Sequence, residues 1–286
     1  DEGQMHAMRK QLAGYVRSIA PQAMMMVGGA PPHPDMVGHI DVWDPQIDNW
    51  PGEKFSARDA RKVVEECQGR GEKFFWYVAA GPVAPFPNLQ LEYPLIGARA
   101  FLWMSWKYRV TGFEYYCYNL WGYNTKAAQR WPEIPWDARA FVSRNSAYNC
   151  DGMLFYPGPN GTPCSSLRLE NIRDGIEDWE SLYMLRDYAD ALRARPSAGQ
   201  AKPADLLARA DAMLDVPDPL VASVTRWSQD PDLLLKTRRE LGELIVAMKS
   251  AVTQAEYEKV RDARWAEQLA RQRKMLRERV QAAATR

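Results

Sequence analysis

The stretch from Lys73 to Tyr118 decides the fold class of this chain. It begins with the apolar run Lys73-Phe-Phe-Trp-Tyr-Val-Ala79 and ends with Gly112-Phe-Glu-Tyr-Tyr-Cys-Tyr118, and each run predicts a buried strand. Between them, after a proline-rich loop, residues 95–108 have the pattern of a helix. A strand, a helix and a second strand in this order are typical of parallel strands joined by right-handed crossovers.

The same alternation continues on both sides of this unit. Upstream, the sequence predicts helices over 5–19 and 56–69 and strands over 23–27 and 39–43. Downstream, it predicts a short strand over 151–157 and a helix over 165–185. In that last helix Ser165 or Ser166 can cap the first turn, and Gly175 in the middle predicts that another segment packs close to the backbone.

Aromatic and acidic residues follow the predicted strands, where (β/α)8 barrels place their active sites, and this favours a barrel over an open doubly wound sheet. Only about four strands precede the long loop 119–150. We therefore predict an α/β fold, the C-terminal portion of a (β/α)8 TIM-like barrel over residues 1–195, with the remaining strands N-terminal to it. Helices over 196–250 are expected to pack on the barrel, and 251–286 to form a charged helical tail, solvated or fraying.

The composition of the chain indicates which classes of binding partner to expect. The chain has 37 Lys and Arg against 36 Asp and Glu, and it lacks a glycine-rich phosphate loop, so no nucleic acid partner is expected. No apolar run approaches the roughly 20 residues of a membrane span. Three histidines and four cysteines without Cys-x-x-Cys spacing predict no metal site, and no cofactor is implied. The first residue is not Met, so localisation stays open, and export is possible if an upstream signal peptide has been lost.

Trp and Tyr are unusually frequent, with 11 and 13 copies, and many of them lie between residues 74 and 136. Such rings can fill a core. Beside Asn, Asp and Arg in loops they also suit hydroxylated ligands, which offer C–H faces for stacking and hydroxyls for hydrogen bonds. A sugar fits this description.

The order of motifs resembles the catalytic domain of glycoside hydrolase family 123, over approximately residues 1–250. The motifs that carry the resemblance are Asp1-Glu2 before a helix, Ile40-Asp-Val-Trp43, Phe75-Trp-Tyr-Val78, the segment from Pro94 to Tyr108, the segment from Gly112 to Trp121, Asp151-Gly-Met-Leu-Phe-Tyr-Pro-Gly158, and Ser166-Leu-Arg-Leu-Glu-Asn-Ile-Arg-Asp-Gly-Ile-Glu-Asp178. The resemblance implies a retaining β-N-acetylgalactosaminidase with a (β/α)8 barrel that acts by substrate assistance.

In such a reaction the 2-acetamido oxygen of the sugar attacks C1, so the enzyme supplies an acid and an orienting carboxylate rather than a nucleophile. The resemblance gives these roles to Glu2, as general acid/base, and Asp1, as the group that holds the acetamido N–H. Because Asp1 is the first residue, we expect an incomplete site and poor activity if this chain is the whole molecule.

The sequence is less specific about the residues that could bind the substrate or support the site. Six aromatic residues could either stack on a sugar or fill the core: Trp43, Trp76, Tyr77, Tyr116, Tyr118 and Trp121. Asn119 and Asn124 could bind hydroxyls or make turns, and Arg99 on its helix favours a structural role. Arg168, Arg173, Glu177 and Asp178 are expected to form an ion-pair network that joins the last helix to the base of the barrel, outside the chemistry.

Two alternatives remain open. The chain could be a catalytically incomplete carbohydrate-binding remnant of such a barrel. It could also be an ordinary retaining glycosidase with two carboxylates, in which Asp44 or Glu114 is the nucleophile.

Overall fold

The structure is a computed structural model that describes residues 2–48, 57–120, 141–143, 146–158 and 162–284. Its centre is a parallel sheet of four strands that lie side by side in chain order. The strands are β1 (Met26–Gly28), β2 (Val42–Asp44), β3 (Lys73–Tyr77) and β4 (Gly112–Glu114). The predicted α/β class is confirmed, while closure of the sheet into a barrel stays a prediction.

The sheet is covered on one face by helices. Helices α2 (Ala57–Gly69) and α3 (Gly97–Lys107) form the crossovers that lead into β3 and β4. Phe74 and Trp76 of β3 point toward these helices and are fully buried, whereas alternate residues of the strand are only half-buried. This alternation follows from the two-residue period of a strand.

Helix α1 (Glu2–Ile19) precedes the sheet in the chain. Its last turn reaches the amino end of the sheet, where an Arg17 guanidinium nitrogen lies 3.3 Å from the carboxylate of Asp41, just before β2. Its second turn lies beside the segment that follows β1, where the rings of His6 and His33 are 4.2 Å apart. The start of α1 is therefore at the end of the molecule where the strands have their carboxyl ends.

The long helix α4 (Leu167–Arg193) begins as the sequence predicts. The hydroxyl of Ser166 accepts a hydrogen bond from the Leu169 main-chain N–H at 3.2 Å, which satisfies one of the orphan donors of the first turn. A Cβ added at Gly175 would lie 3.0 Å from Cδ2 of Leu102 in α3. The absence of a side chain at Gly175 thus lets the two helices approach closely, as expected.

Asp178 joins three helices. Its buried carboxylate accepts hydrogen bonds from Arg99 at 2.7 Å and from the Trp103 indole at 2.9 Å, both in α3. It also pairs at 2.6 Å with Arg238 of α6 (Pro231–Ala251). Arg99 lies in the first turn of α3, so this contact is near the carboxyl ends of the strands. The sequence analysis had placed it at the opposite end, the base of the predicted barrel.

The other three residues of the predicted ion-pair network make different contacts. Arg173 lies on the surface and pairs with neighbours on its own helix, Asp174 and Glu177 among them. Arg168 is buried and donates to main-chain oxygens, at 2.6 Å to that of Leu89 and also to that of Met153. Arg168 therefore holds loops together, and the ion-pair role expected for it is replaced by contacts with carbonyl groups.

Helices α5 (Ala201–Leu214) and α6 extend the core beyond α4. Buried side chains of both, such as Met213 and Leu241, belong to the same apolar cluster as Trp43 and Trp76 of the sheet. Residues 196–250 thus pack on the α/β unit, and the domain boundaries at 195 and 250 stay predictions.

The C-terminal run forms one helix, α7 (Gln254–Ala284), that packs on the rest of the protein along its length. The rings of Tyr257 and Tyr188 stack with centroids 4.2 Å apart. Further along, Arg264 pairs with Asp187, and Arg279 pairs with Asp41. The helix was predicted correctly, but its docking under the amino ends of the strands was not, because solvation or fraying was expected there.

The remaining strands form two antiparallel pairs. They are β5 (Phe141–Ser143) with β6 (Ser146–Tyr148), and β7 (Phe155–Pro157) with β8 (Pro163–Ser165). The strand predicted over 151–157 therefore pairs with β8 and does not extend the parallel sheet. Among the described helices, none combines the length and the apolar character needed to cross a lipid bilayer.

Candidate active site

The last residues of the parallel strands meet at one edge of the sheet. They are Gly28, Asp44, Tyr77 and Glu114. The register pairs Gly28 with Asp44 and Tyr77 with Glu114, and paired residues of parallel strands point to the same face. Since Asp44 is two residues beyond Val42, which pairs with Lys73, its side chain shares this face with Tyr77. Two carboxyl groups and a phenol are thus brought together from chain positions 70 residues apart.

This cluster perturbs the ionisation of its members. Burial raises the pKa of the Asp44 carboxyl to about 7, with a further contribution from the negative charge of Glu114. Burial also raises the pKa of Glu114. The pKa of Tyr77 is raised by burial and by the charges of Asp44, Glu114 and Asp48. A carboxyl group with a pKa near neutrality can exchange a proton at physiological pH, which is the property required of a general acid or base.

The carboxyl oxygens at this edge are incompletely paired. Asp44 is only 2% exposed, yet its Oδ1 has no hydrogen-bond partner among the described residues, and the same holds for Oδ1 of Asp48. A buried oxygen without a partner costs free energy, and such oxygens concentrate where a ligand or water completes the site. The hydroxyl of Tyr77 lies above the end of β1, 3.6 Å from the position that a Cβ would take at Gly29.

The two residues expected to be catalytic lie at the margin of what the structure describes. Asp1 is outside the described residues, and Glu2 is described only by its backbone, as the first residue of α1. Helix α1 thus starts at Glu2, earlier than the start at residue 5 that the sequence predicted. An acidic residue is favoured in the first turn, where it faces the positive end of the helix dipole.

Trp43 and Trp76 pack in the core on the helix side of the sheet, and neither ring has an open face for a sugar. Trp43 is 1% exposed, and its indole N–H donates to Glu72 at 2.8 Å. Trp76 is completely buried, and its indole N–H donates to Ser105 of α3 at 2.9 Å. Both residues support the strands from behind and do not reach the edge at which Asp44 and Tyr77 meet.

The segment after β4 carries exposed polar and aromatic groups. Tyr116 and Tyr118 are about half exposed, with 46% and 58% of their surface accessible, and Asn119 is also exposed. Trp121 and Asn124 lie outside the described residues. Tyr116, Tyr118 and Asn119 are therefore accessible to a ligand at the carboxyl end of the sheet.

A buried aspartate holds this segment in place. Asp151 is 1% exposed and accepts hydrogen bonds from the hydroxyls of Tyr115 at 3.1 Å and Tyr116 at 2.9 Å. The hydroxyl of Tyr115 in turn accepts from the Gly152 main-chain N–H at 2.8 Å. The pKa of Asp151 is raised overall, because the effect of burial outweighs the opposite effect of the two hydroxyl donors. Asp151 thus orients Tyr116 toward the 150–153 loop.

Sequence reasoning missed three features of this end of the molecule. Asp151 was quoted as part of a motif but given no role, and Asp48 was not considered at all. Two of the three histidines, His6 and His33, also come together, and with Asp35 they place one ligand atom each within 4.8 Å of one another. Asp48 could have been noticed because it follows the Trp43-Asp44 strand end, whereas the contact between the histidines depends on how α1 docks.

These features define a class: an α/β protein with carboxyl groups of raised pKa at the carboxyl ends of parallel strands, which is the arrangement of an enzyme active site. The chain belongs to glycoside hydrolase family 123, since the model of the family's catalytic domain matches residues 1–185. It is accordingly a glycosidase by family, and its substrate class is carbohydrate. The match includes all four parallel strands and reaches into α4. No curated protein matches the chain.

Proposed function

We propose that this protein hydrolyses terminal β-linked N-acetylhexosamine residues, N-acetylgalactosamine in particular, with retention of configuration and by substrate assistance. The acetamido oxygen of the sugar attacks C1 and displaces the aglycone, which forms a cyclic oxazolinium ion. Water then opens this intermediate from the same face that the aglycone left. Each step needs a proton transfer, and one enzyme carboxyl group can provide both, as acid and then as base.

In this proposal Glu2 protonates the leaving oxygen and then deprotonates the attacking water. Asp1 accepts a hydrogen bond from the acetamido N–H, which aligns the carbonyl oxygen with C1 and stabilises the positive charge that develops on the ring. Both roles come from the family resemblance of the Asp1-Glu2 motif.

The observation that carries the proposal is the orientation of α1. Its last turn is tied to Asp41 at the amino end of the sheet, and His6 in its second turn lies against His33 beyond the carboxyl end of β1. Glu2, four residues before His6, therefore begins the helix at the end of the molecule where Asp44 and Glu114 meet. A barrel glycosidase needs its carboxyl groups at this end.

The proposed sugar subsite is lined by residues that are accessible at the same end. Tyr77 contributes a half-buried hydroxyl, and Tyr116, Tyr118 and Asn119 contribute exposed rings and an amide. Trp121 stays a candidate for stacking from outside the described residues. This set offers both C–H stacking and hydroxyl hydrogen bonds, which is how proteins bind hexoses.

A second candidate mechanism is favoured by the Asp44 and Glu114 pair. In a two-carboxylate retaining glycosidase one carboxylate attacks C1 while a second group with a raised pKa protonates the leaving oxygen. The raised pKa of Asp44 and its electrostatic coupling to Glu114 meet the second requirement. In this mechanism Glu114 would form a covalent glycosyl ester and the acetamido group of the substrate would have no role.

Two chromogenic substrates separate the mechanisms. The protein expressed from its complete gene is given p-nitrophenyl β-N-acetylgalactosaminide and, in parallel, the matching β-galactoside, which lacks the acetamido group. Substrate assistance predicts turnover of the first only, together with tight inhibition by a thiazoline that imitates the cyclic intermediate. Comparable turnover of both substrates, or a covalent adduct on Glu114, would support the second mechanism. Sugar binding without turnover of either would support a binding remnant.

Variants then test the assigned residues. Glu2→Gln is expected to lower kcat by about 10²- to 10⁴-fold, which is the usual contribution of general acid–base catalysis. Glu65→Gln makes the same chemical change on an exposed position of α2 and is expected to leave kcat unchanged. If Glu2→Gln keeps full activity while Asp44→Asn or Glu114→Gln abolishes it, the assignment of Glu2 is refuted.

A further inference from the structure

Two of the three histidines of this chain meet at the contact between α1 and the segment that follows β1. The ring centroids of His6 and His33 are 4.2 Å apart, and the ring planes are inclined by 37°. The carboxylate of Asp35 lies beside them, with Oδ2 3.8 Å from Nδ1 of His33. Each of the three side chains offers one ligand atom, and these atoms all lie within 4.8 Å of one another.

Local structure fixes two of these groups. His33 precedes a short 3-10 helix (Pro34–Met36), and its Nδ1 accepts a hydrogen bond from the Asp35 main-chain N–H at 3.3 Å. This turn presents the imidazole of His33 and the carboxylate of Asp35 on the same side. The third group, His6, comes from the second turn of α1, so the cluster joins two segments that are separated by 27 residues.

The donor set suits a divalent transition metal ion. Two imidazoles and one carboxylate are ligands that Zn²⁺ binds well, at about 2.0–2.2 Å, and three protein ligands leave one position for water. Around a tetrahedral ion of this size neighbouring ligand atoms are roughly 3.4 Å apart. Since the ligand atoms already lie within 4.8 Å of one another, reaching this spacing requires side-chain movements on the order of 1 Å. The side chains of His33 and Asp35 are 44% and 66% exposed, so an ion can enter directly from solvent.

We propose that His6, His33 and Asp35 form a binding site for one divalent transition metal ion of the Zn²⁺ class. The ion would clamp the second turn of α1 to the β1–β2 connection. At the opposite end of α1, Arg17 reaches Asp41 and the carbonyl oxygen of Gly38. A bound ion would thus add a second fixed point near the start of the helix.

The test is metal binding by the untagged protein after removal of metal with a chelator. Isothermal titration with Zn²⁺ is expected to give one ion per chain. His6→Ala, His33→Ala and Asp35→Asn are each expected to weaken binding at least about 10-fold, because loss of even an outer-shell partner of a metal site costs about 10- to 100-fold. His39→Ala removes the third histidine of the chain, outside the cluster, and is expected to bind as the wild type does.

Spectroscopy identifies the ligands independently of affinity. With Cu²⁺ in place of Zn²⁺, electron paramagnetic resonance is expected to show coupling to two imidazole nitrogens in the wild type and to one in His6→Ala. Circular dichroism of the metal-free variants checks that each is folded, and His6→Gln replaces His6→Ala if the latter is not. The proposal is overturned if the wild type binds no Zn²⁺ at millimolar concentration, or if His6→Ala and His33→Ala bind it as tightly as His39→Ala.

Discussion

Replacing Asp44 by Asn should change how the stability of this protein depends on pH. The folded state holds the pKa of the Asp44 carboxyl at about 7, whereas the ordinary value is 3.8. Between these two values the native protein keeps a proton on Asp44 that the unfolded chain has already released. Since the native state then binds more protons than the unfolded state, the free energy of unfolding falls as pH rises through this window.

The size of the effect follows from the width of the window. About three pH units at roughly 1.4 kcal/mol per unit give about 4 kcal/mol, present below pH 4 and lost by about pH 7. Asn carries no proton equilibrium, so Asp44→Asn removes this loss. At pH 8 the variant should gain up to about 4 kcal/mol, less about 1–3 kcal/mol for an amide that is buried without a full set of partners.

Urea unfolding at pH 5 and pH 8 is measured for the wild type, for Asp44→Asn and for Asp205→Asn; this interval covers about two of the three pH units, so about 3 kcal/mol of the loss falls within it. Asp205 is exposed on α5 and provides the same substitution without burial. We expect the wild type and Asp205→Asn to lose stability between the two pH values and Asp44→Asn to lose much less. If all three lose the same amount, Asp44 does not have a raised pKa, and its role as a proton donor at this edge falls with it.

Three further predictions, made with four variants, test the packing. Gly112→Ala would place a Cβ 2.2 Å from Cδ1 of Phe75 and should destabilise by about 1–3 kcal/mol, whereas Gly242→Ala, with its nearest neighbour at 3.6 Å, should stabilise by up to about 1 kcal/mol; equal effects in urea unfolding would contradict this. Asp178→Ala removes the carboxylate that Arg99, Trp103 and Arg238 share, leaves Arg99 only its contact with Asp174, and should cost about 3 kcal/mol, whereas a loss below 1 kcal/mol would refute its role as a hub. Arg279→Ala should speed amide hydrogen exchange in α7, and unchanged protection would show that the helix docks without this contact.

Local signals made part of the fold predictable. The apolar runs that alternate with helical patterns predicted parallel strands, because strands covered by helices must be apolar along much of their length. The start of α4 was predictable because the side chain of Ser166 caps the helix by accepting a hydrogen bond from the main-chain N–H of Leu169, three residues further on. Gly175 was predictable as a close approach, since glycine in the middle of a helix costs stability unless packing requires it.

The faces of the strands were not predictable in the same way. Trp43 and Trp76 adjoin Asp44 and Tyr77 in sequence, so each pair was expected at the same edge. Successive strand residues point to opposite faces, however, so only one member of each pair can lie at the candidate site. Which member packs against the helices depends on the face of the sheet that the helices cover, and a short apolar run does not reveal this.

Long-range polar contacts were also hidden in the sequence. Helix α7 has few apolar residues, and it docks through Arg264 and Arg279 to carboxylates on distant segments. Charged side chains of this kind normally indicate a solvated face, which is why a loose tail was expected. Likewise, the interaction of Asp44 with Glu114 requires the register of three strands.

Contacts at the amino end of the sheet help to orient α1, the helix that begins with the proposed catalytic motif. Asp41 lies at the amino end of the sheet, buried, and its carboxylate accepts the Met25 main-chain N–H at 2.7 Å while pairing with Arg17 of α1 and Arg279 of α7. Because a helix behaves as a nearly rigid rod, a contact at its last turn constrains the direction of its first turn. The C-terminal helix, which lies outside the family match, therefore shares with α1 the carboxylate that holds the last turn of α1 at the amino end of the sheet.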